Sequence, residues 1–162
     1  SGLKEAVASL EGFRVILAEA GSESDFLAMT DRLDLLEEFT NFLKEELNCP
    51  VLLGIHHAGT TIPILEKEDV GVVGYITPVN SLGALMLPSK NRTVEAIRAS
   101  KRPVIAIKPL AGGRVPSRRA FEYVFNNVEV DASMVGVASE MEVDEDFQRA
   151  LRALGLTRLW EP

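Results

Sequence analysis

Five apolar runs punctuate this chain, and each ends in polar residues before the next helix-like stretch begins. Arg14–Ala18 leads into Glu19, Val51–Leu53 into His56 and His57, and Val70–Ile76 into Asn80. Pro103–Ile107 leads into Lys108 and the Gly112-Gly113 pair, and Met134–Val137 into Ser139 and Glu140. Apolar runs separated by helix-length segments predict buried parallel strands, because a parallel crossover needs about a dozen residues or more. The polar residues at the strands' C-terminal ends should then gather on one face, where α/β proteins place their sites.

Leu33, Leu36, Phe39, Leu43 and Leu47 fall three or four residues apart and form one apolar stripe. This predicts a helix over Asp31–Leu47, stopped by Asn48 and Pro50. Further helices are expected over Ile62–Lys67, with Pro63 in the first turn, and over Ser89–Ser100, Ser117–Asn126 and Val143–Leu154. Leu3–Leu10 reads as the tail of another. Strands are expected over Phe13–Ala18, Val51–Ile55, Val70–Ile76, Pro103–Ile107 and Ser133–Val137. The expectation is a single α/β domain spanning all 162 residues.

The net charge of −7 argues against a nucleic-acid partner, whose phosphates need a basic face. Only Arg114–Arg119 concentrates cations. Cys49 stands alone, which excludes an intrachain disulfide or a cysteine-based zinc site and suits a reducing compartment, the cytoplasm. No apolar run approaches the roughly 18 residues of a membrane span, so no membrane association is expected.

From Arg32 to about Leu154 the order of these pieces resembles the later part of an aldo/keto reductase-like (β/α)8 barrel. The marks are Gly54-Ile55-His56-His57, Pro78-Val79-Asn80-Ser81-Leu82, Lys108-Pro109-Leu110-Ala111-Gly112-Gly113, and Val135-Gly136-Val137-Ala138-Ser139 before an acidic helix start. The resemblance implies a TIM-type barrel of which this chain supplies the C-terminal part, about five parallel strands with outer helices. Phe13–Ala18 would be the fourth strand of such a barrel.

In that family a Tyr, a Lys and an Asp of the catalytic tetrad come from earlier strands, and a His ends the fourth. Here that position falls near Ala18-Glu19-Ala20. The family's Ser-Asn pair for the nicotinamide aligns with His56-His57, and its Gln aligns near Ile76. NADPH-using relatives carry a basic residue where this chain has Glu140 and Met141. The resemblance therefore implies the fold and the phosphate-binding rim rather than hydride transfer, and it assigns no cofactor.

The leading functional expectation is a small-molecule enzyme, or the descendant of one, that binds an anionic ligand at the strand C-termini. Lys108 can contact a phosphate or carboxylate, form a Schiff base, or lie along the rim beside a glutamate. Gly112 and Gly113 let backbone N–H groups approach an anion, and Asn80 and Ser139 can hydrogen-bond a ligand. His56 and His57 should point to opposite faces if the strand persists, leaving one to pair with Glu19. That pair supports an alternative, a metal-assisted lyase, isomerase or hydrolase. A third expectation is a non-catalytic half-barrel module. An open sheet would be covered by a second copy, as a homo-oligomer, or by a segment upstream of Ser1.

Overall fold

The computed structural model describes residues 5–156 except 7, 11, 22 and 69. Of the helix tail expected over Leu3–Leu10, Leu3, Lys4 and Val7 lie outside the described residues.

Among the described residues five strands form one sheet in the order β1-β2-β3-β4-β5, every pair parallel. They are β1 (Ala18–Ala20), β2 (Val51–Gly54), β3 (Gly74–Pro78), β4 (Val104–Ile107) and β5 (Ala132–Ser133). Between them run α1 (Glu23–Met29), α2 (Leu33–Leu47), α3 (Ala58–Leu65), α4 (Lys90–Ala99) and α5 (Ser117–Glu122), which widens into a π-helical turn over Tyr123–Val128. The last helix is α6 (Glu140–Ala153). Parallel strands laid down in chain order, each followed by helix, are the architecture of a TIM-type barrel, here represented by five strands.

The two-residue alternation of the strands divides the sheet into two faces. Ala20, Val51, Leu53, Tyr75, Val104 and Ala106 share the main core with Leu36 and Leu43 of α2, Ile62 and Leu65 of α3, Ile97 of α4 and Phe121 of α5. Leu52, Ile76, Ile105 and Ile107 alternate with them and form the other, inner face. Elements approach closely where side chains are absent. A Cβ on Gly59 would stand 2.9 Å from the Arg92 and Thr93 backbone, and one on Gly74 would stand 2.5 Å from the Pro103 carbonyl oxygen.

Several element limits differ from the sequence reading, for local reasons. The first strand is Ala18–Ala20 rather than Phe13–Ala18, because Ala18 pairs with Val51, the first residue after Pro50. Pro50 has no N–H to extend the ladder, and Glu19 consequently lies inside a strand. The third strand starts at Gly74 rather than Val70, since Gly71, at φ +70, bends the chain out of the extended path. Helix α3 begins at Ala58 and carries Pro63 in its interior, not in its first turn. The last strand has two residues because β5 is an edge whose ladder to β4 is only two pairs long. Helix α1 has no counterpart in the sequence reading.

Opposite the C-terminal rim, a polar cluster ties β3 to the turn before β4. The Tyr75 hydroxyl donates to Glu66 Oε1 at 3.1 Å, Ser100 Oγ donates at 3.3 Å, the Arg102 guanidinium donates at 3.3 Å, and the Lys101 N–H reaches Oε2 at 3.2 Å. Burial and the Glu66 carboxylate push the Tyr75 hydroxyl up to about 12, against the pull of Arg102. Burial works against the Glu66 carboxylate, but the Lys101 N–H, Tyr75 and Arg102 outweigh it and hold the group below its ordinary range. A lowered carboxyl stabilises the fold above its unfolded pKa, and that contribution fades as pH falls through the folded value. Glu66→Gln should therefore cost about 1–3 kcal/mol at pH 7. In urea titrations across pH, its gap to the parent should narrow progressively in the acid range.

Candidate active site at the C-terminal rim

The ladders carry the C-terminal ends of β2, β3 and β4 to one rim, and the connections there are tightly specified. After β2 the chain turns through Ile55-His56-His57 into α3. Asp25, 7% exposed in α1, accepts hydrogen bonds from this turn. Its Oδ2 receives the His56 N–H at 2.5 Å and the His57 N–H at 3.1 Å, and its Oδ1 receives the Thr61 hydroxyl at 2.6 Å. One buried carboxylate thus satisfies donors at the start of α3 and fixes the turn's conformation.

Strand β4 ends at Ile107, and Lys108 follows in the left-handed region, φ 56, with Ala111, Gly112 and Gly113 next at φ 50, 71 and 78. For Lys108 this backbone costs about 1–2 kcal/mol. The turn is anchored by Ala111 and Val115, buried beside Ala120. Arg114 Nε also donates to the Ala111 carbonyl at 2.8 Å. From this position Lys108 Nζ reaches His56 Nε2 at 3.1 Å, across the end of β3.

The same turn forms one wall of a cleft of about 860 Å³. Met134, Val135 and Gly136 continue the lining, and Glu142, Glu145 and Asp146 of α6 face the turn. A Cβ on Gly112 or Gly113 would meet no atom within 4 Å, so their backbone is open on this side. The opposite wall is acidic. Burial, together with Glu145 and Glu142, raises the Asp146 carboxyl above its ordinary range, with a hydrogen bond from Ser117 opposing the shift.

The structure brings together part of the residue set expected from sequence. Lys108 and His56 meet, and Gly112 and Gly113 line the adjoining cleft. The strand does not persist through His56 and His57, so the opposite-face expectation does not hold: β2 ends at Gly54 and both backbone N–H groups turn to Asp25. Glu19 sits in mid-strand with its carboxylate over Gly54. Among the described residues no three His, Cys, Asp or Glu side chains converge as metal ligands. Asn80 is buried, with its amide engaged at both ends by the Ala84 backbone at 2.9 Å. Ser139 caps α6, its hydroxyl accepting the Glu142 N–H at 3.2 Å.

Asp25 is the residue that sequence reasoning missed. The available signal was the Gly21-Ser22-Glu23-Ser24-Asp25 run, rich in cap-forming Ser and Asp, directly after a strand, a pattern that often opens a helix. Asp25→Ala should strand the His56 and His57 N–H groups and the Thr61 hydroxyl, costing about 2–4 kcal/mol in chemical denaturation. Asp25→Asn, which keeps one acceptor oxygen, should lose clearly less.

No family model and no curated protein matches this chain. Solved structures do. One from Pseudomonas aeruginosa, described as a "putative aldo-keto reductase", superposes with TM-score 0.64 at 21% identity. The match covers 94% of this chain and 57% of that one. A second structure under the same description and from the same organism gives TM-score 0.52 at 21% identity, covering 93% of this chain and 73% of its own. At this identity the likeness establishes the fold alone, part of a TIM-type barrel like that of these structures. The chain spans little more than half the length of the first relative. Among the described residues no helix is long and apolar enough to cross a membrane.

Proposed function

We propose that this chain carries a binding site for a small anionic molecule, a phosphate or carboxylate compound, at the C-terminal rim of an aldo-keto reductase-type partial barrel. Lys108 and the Gly112-Gly113 turn are its contacts, with His56 beside Lys108. The observation that supports this best is the 3.1 Å approach of Lys108 Nζ to His56 Nε2. An ammonium held by a histidine acceptor, next to an open glycine turn, is an arrangement that can bind an oxyanion with short, charge-assisted hydrogen bonds. The carboxylates on the far wall of the cleft would confine the anion to the Lys108 side.

Hydride transfer is not part of this reading. The strand-end histidine of the reductase tetrad has no counterpart at Glu19. Glu140 and Met141 stand where a basic residue would hold the adenosine-ribose phosphate. The cofactor is left unassigned, and the single cysteine fits a reducing compartment such as the cytoplasm.

Titrating inorganic phosphate, followed by calorimetry or by NMR of the rim amides, tests the site. Lys108→Met should weaken binding by about tenfold or more, the worth of a charge-assisted hydrogen bond. Arg118→Met should leave it unchanged, because that guanidinium is paired with Glu122 at 3.0 Å on an exposed helix face. Equal affinity in the parent and Lys108→Met would overturn the assignment.

A second reading, a half-barrel assembly module, draws on the sheet's two edges, open among the described residues. Phe13 and Ile16, 76% and 74% exposed, precede β1, while Met141 and Phe147, 77% and 62% exposed, lie on the helix after β5. Apolar surface beside unpaired strand edges favours a partner, either another copy or further strands of the same protein. Light scattering on dilute protein of this length should give a mass above that of one chain. A monomer with cooperative unfolding would remove this reading.

A further inference from the structure

We propose that Lys108 is a carbonyl-reactive nucleophile with His56 as its proton-transfer partner, so that the site forms an imine with a small carbonyl compound bearing a carboxylate or phosphate. This rests on the anion-binding reading above and names its substrate class.

The geometry matches the general pattern of an activated nucleophile: a nucleophile, a base within hydrogen-bond reach, and a third group that orients the base. Among the described residues, the only hydrogen-bond partner of Lys108 Nζ is His56 Nε2, at 3.1 Å. An imidazole can take up and return a proton, whereas a carboxylate neighbour would mainly hold the ammonium in place. The third group is Asp25, whose carboxylate fixes the main chain of His56 and His57 and so positions the imidazole. Asp25 acts through His56 and is a positioning residue. The left-handed backbone at Lys108 is a second observation at the same place, since a non-glycine residue is held there against its conformational preference. The cleft of about 860 Å³ opens directly beside Lys108 and offers room for a small substrate.

The chemistry balances without an oxidant or reductant. The Lys108 ammonium gives a proton to His56, and the free amine attacks the carbonyl carbon, forming a C–N bond as the carbonyl π pair moves to oxygen. The imidazolium protonates that oxygen to give the carbinolamine, and His56 then removes a proton from nitrogen. Returned to the hydroxyl, this proton leaves with it as water, and the protonated imine remains. Its positive nitrogen can draw electrons from a bond at the adjacent carbon.

The test is to incubate the protein with pyruvate or with glycolaldehyde phosphate in the presence of cyanoborohydride and map reduced adducts by peptide mass spectrometry. The adduct at Lys108 should form at least about tenfold faster than at any other lysine. His56→Asn, which keeps the main-chain bond to Asp25, should slow it by about a hundredfold, within the range of general acid–base catalysis. Lys108→Arg keeps the charge, and should retain phosphate binding while losing the adduct. Adducts spread evenly over the lysines, or trapping at Lys108 that is indifferent to His56→Asn, would overturn the proposal. If phosphate binding depends on residue 108 but no adduct forms, the covalent step alone falls. If Lys108→Met binds phosphate as the parent does, the anion site itself is wrong.

Discussion

Parallel pairing in chain order is the constraint from which the rest of this structure follows. Because β2, β3 and β4 run the same way, their C-terminal ends emerge together, and residues far apart in sequence become neighbours. His56 and Lys108, separated by 52 positions, meet across the end of β3 for this reason. The same constraint sends every connection back over the outside of the sheet. That is why Leu53, Tyr75 and Ala106 pack against helices while Leu52, Ile76 and Ile105 face inward.

The two ends of the sheet are built for different purposes. Below the strands, Glu66 collects Tyr75, Ser100, Lys101 and Arg102 into a satisfied cluster whose effect is to fix the entry to β3 and β4. At the opposite rim the polar groups are fewer and the backbone is strained, with Lys108 and Ala111 both in the left-handed region. A buried carboxylate, Asp25, holds one turn rigid so that a half-buried histidine can face an exposed lysine. Firm support under an open Lys108–His56 pair distinguishes the rim from the rest of the surface.

Charge divides the cleft. Lys108 stands on one wall, and Glu142, Glu145 and Asp146 stand on the other. Burial first, and then the neighbouring Glu145 and Glu142, raises Asp146 above its ordinary range on a wall whose charge is negative. The acidic start of α6 compensates its helix dipole, carries the Ser139 cap and lays negative charge along the cleft wall.

The sequence by itself determined the alternation of strand and helix, the α2 stripe from Leu33 to Leu47, and the placement of Lys108 and its glycine turn at a strand end. These are local properties: apolar periodicity and turn chemistry act over a few residues and need no partner to be read. Tertiary structure alone decided where each strand begins, because a ladder can run only as far as its neighbour offers donors and acceptors. Pro50 therefore moved β1 onto Glu19, and the edge position cut β5 to two residues. It also decided which polar residues matter. Asn80 and Ser139, read from sequence as possible ligand contacts, bond to Ala84 and Glu142, while Asp25, in a helix without a clear apolar stripe, holds the turn that carries His56 and His57. Hydrogen bonds spanning 31 to 52 positions depend on the register of whole strands, which no short window of sequence contains.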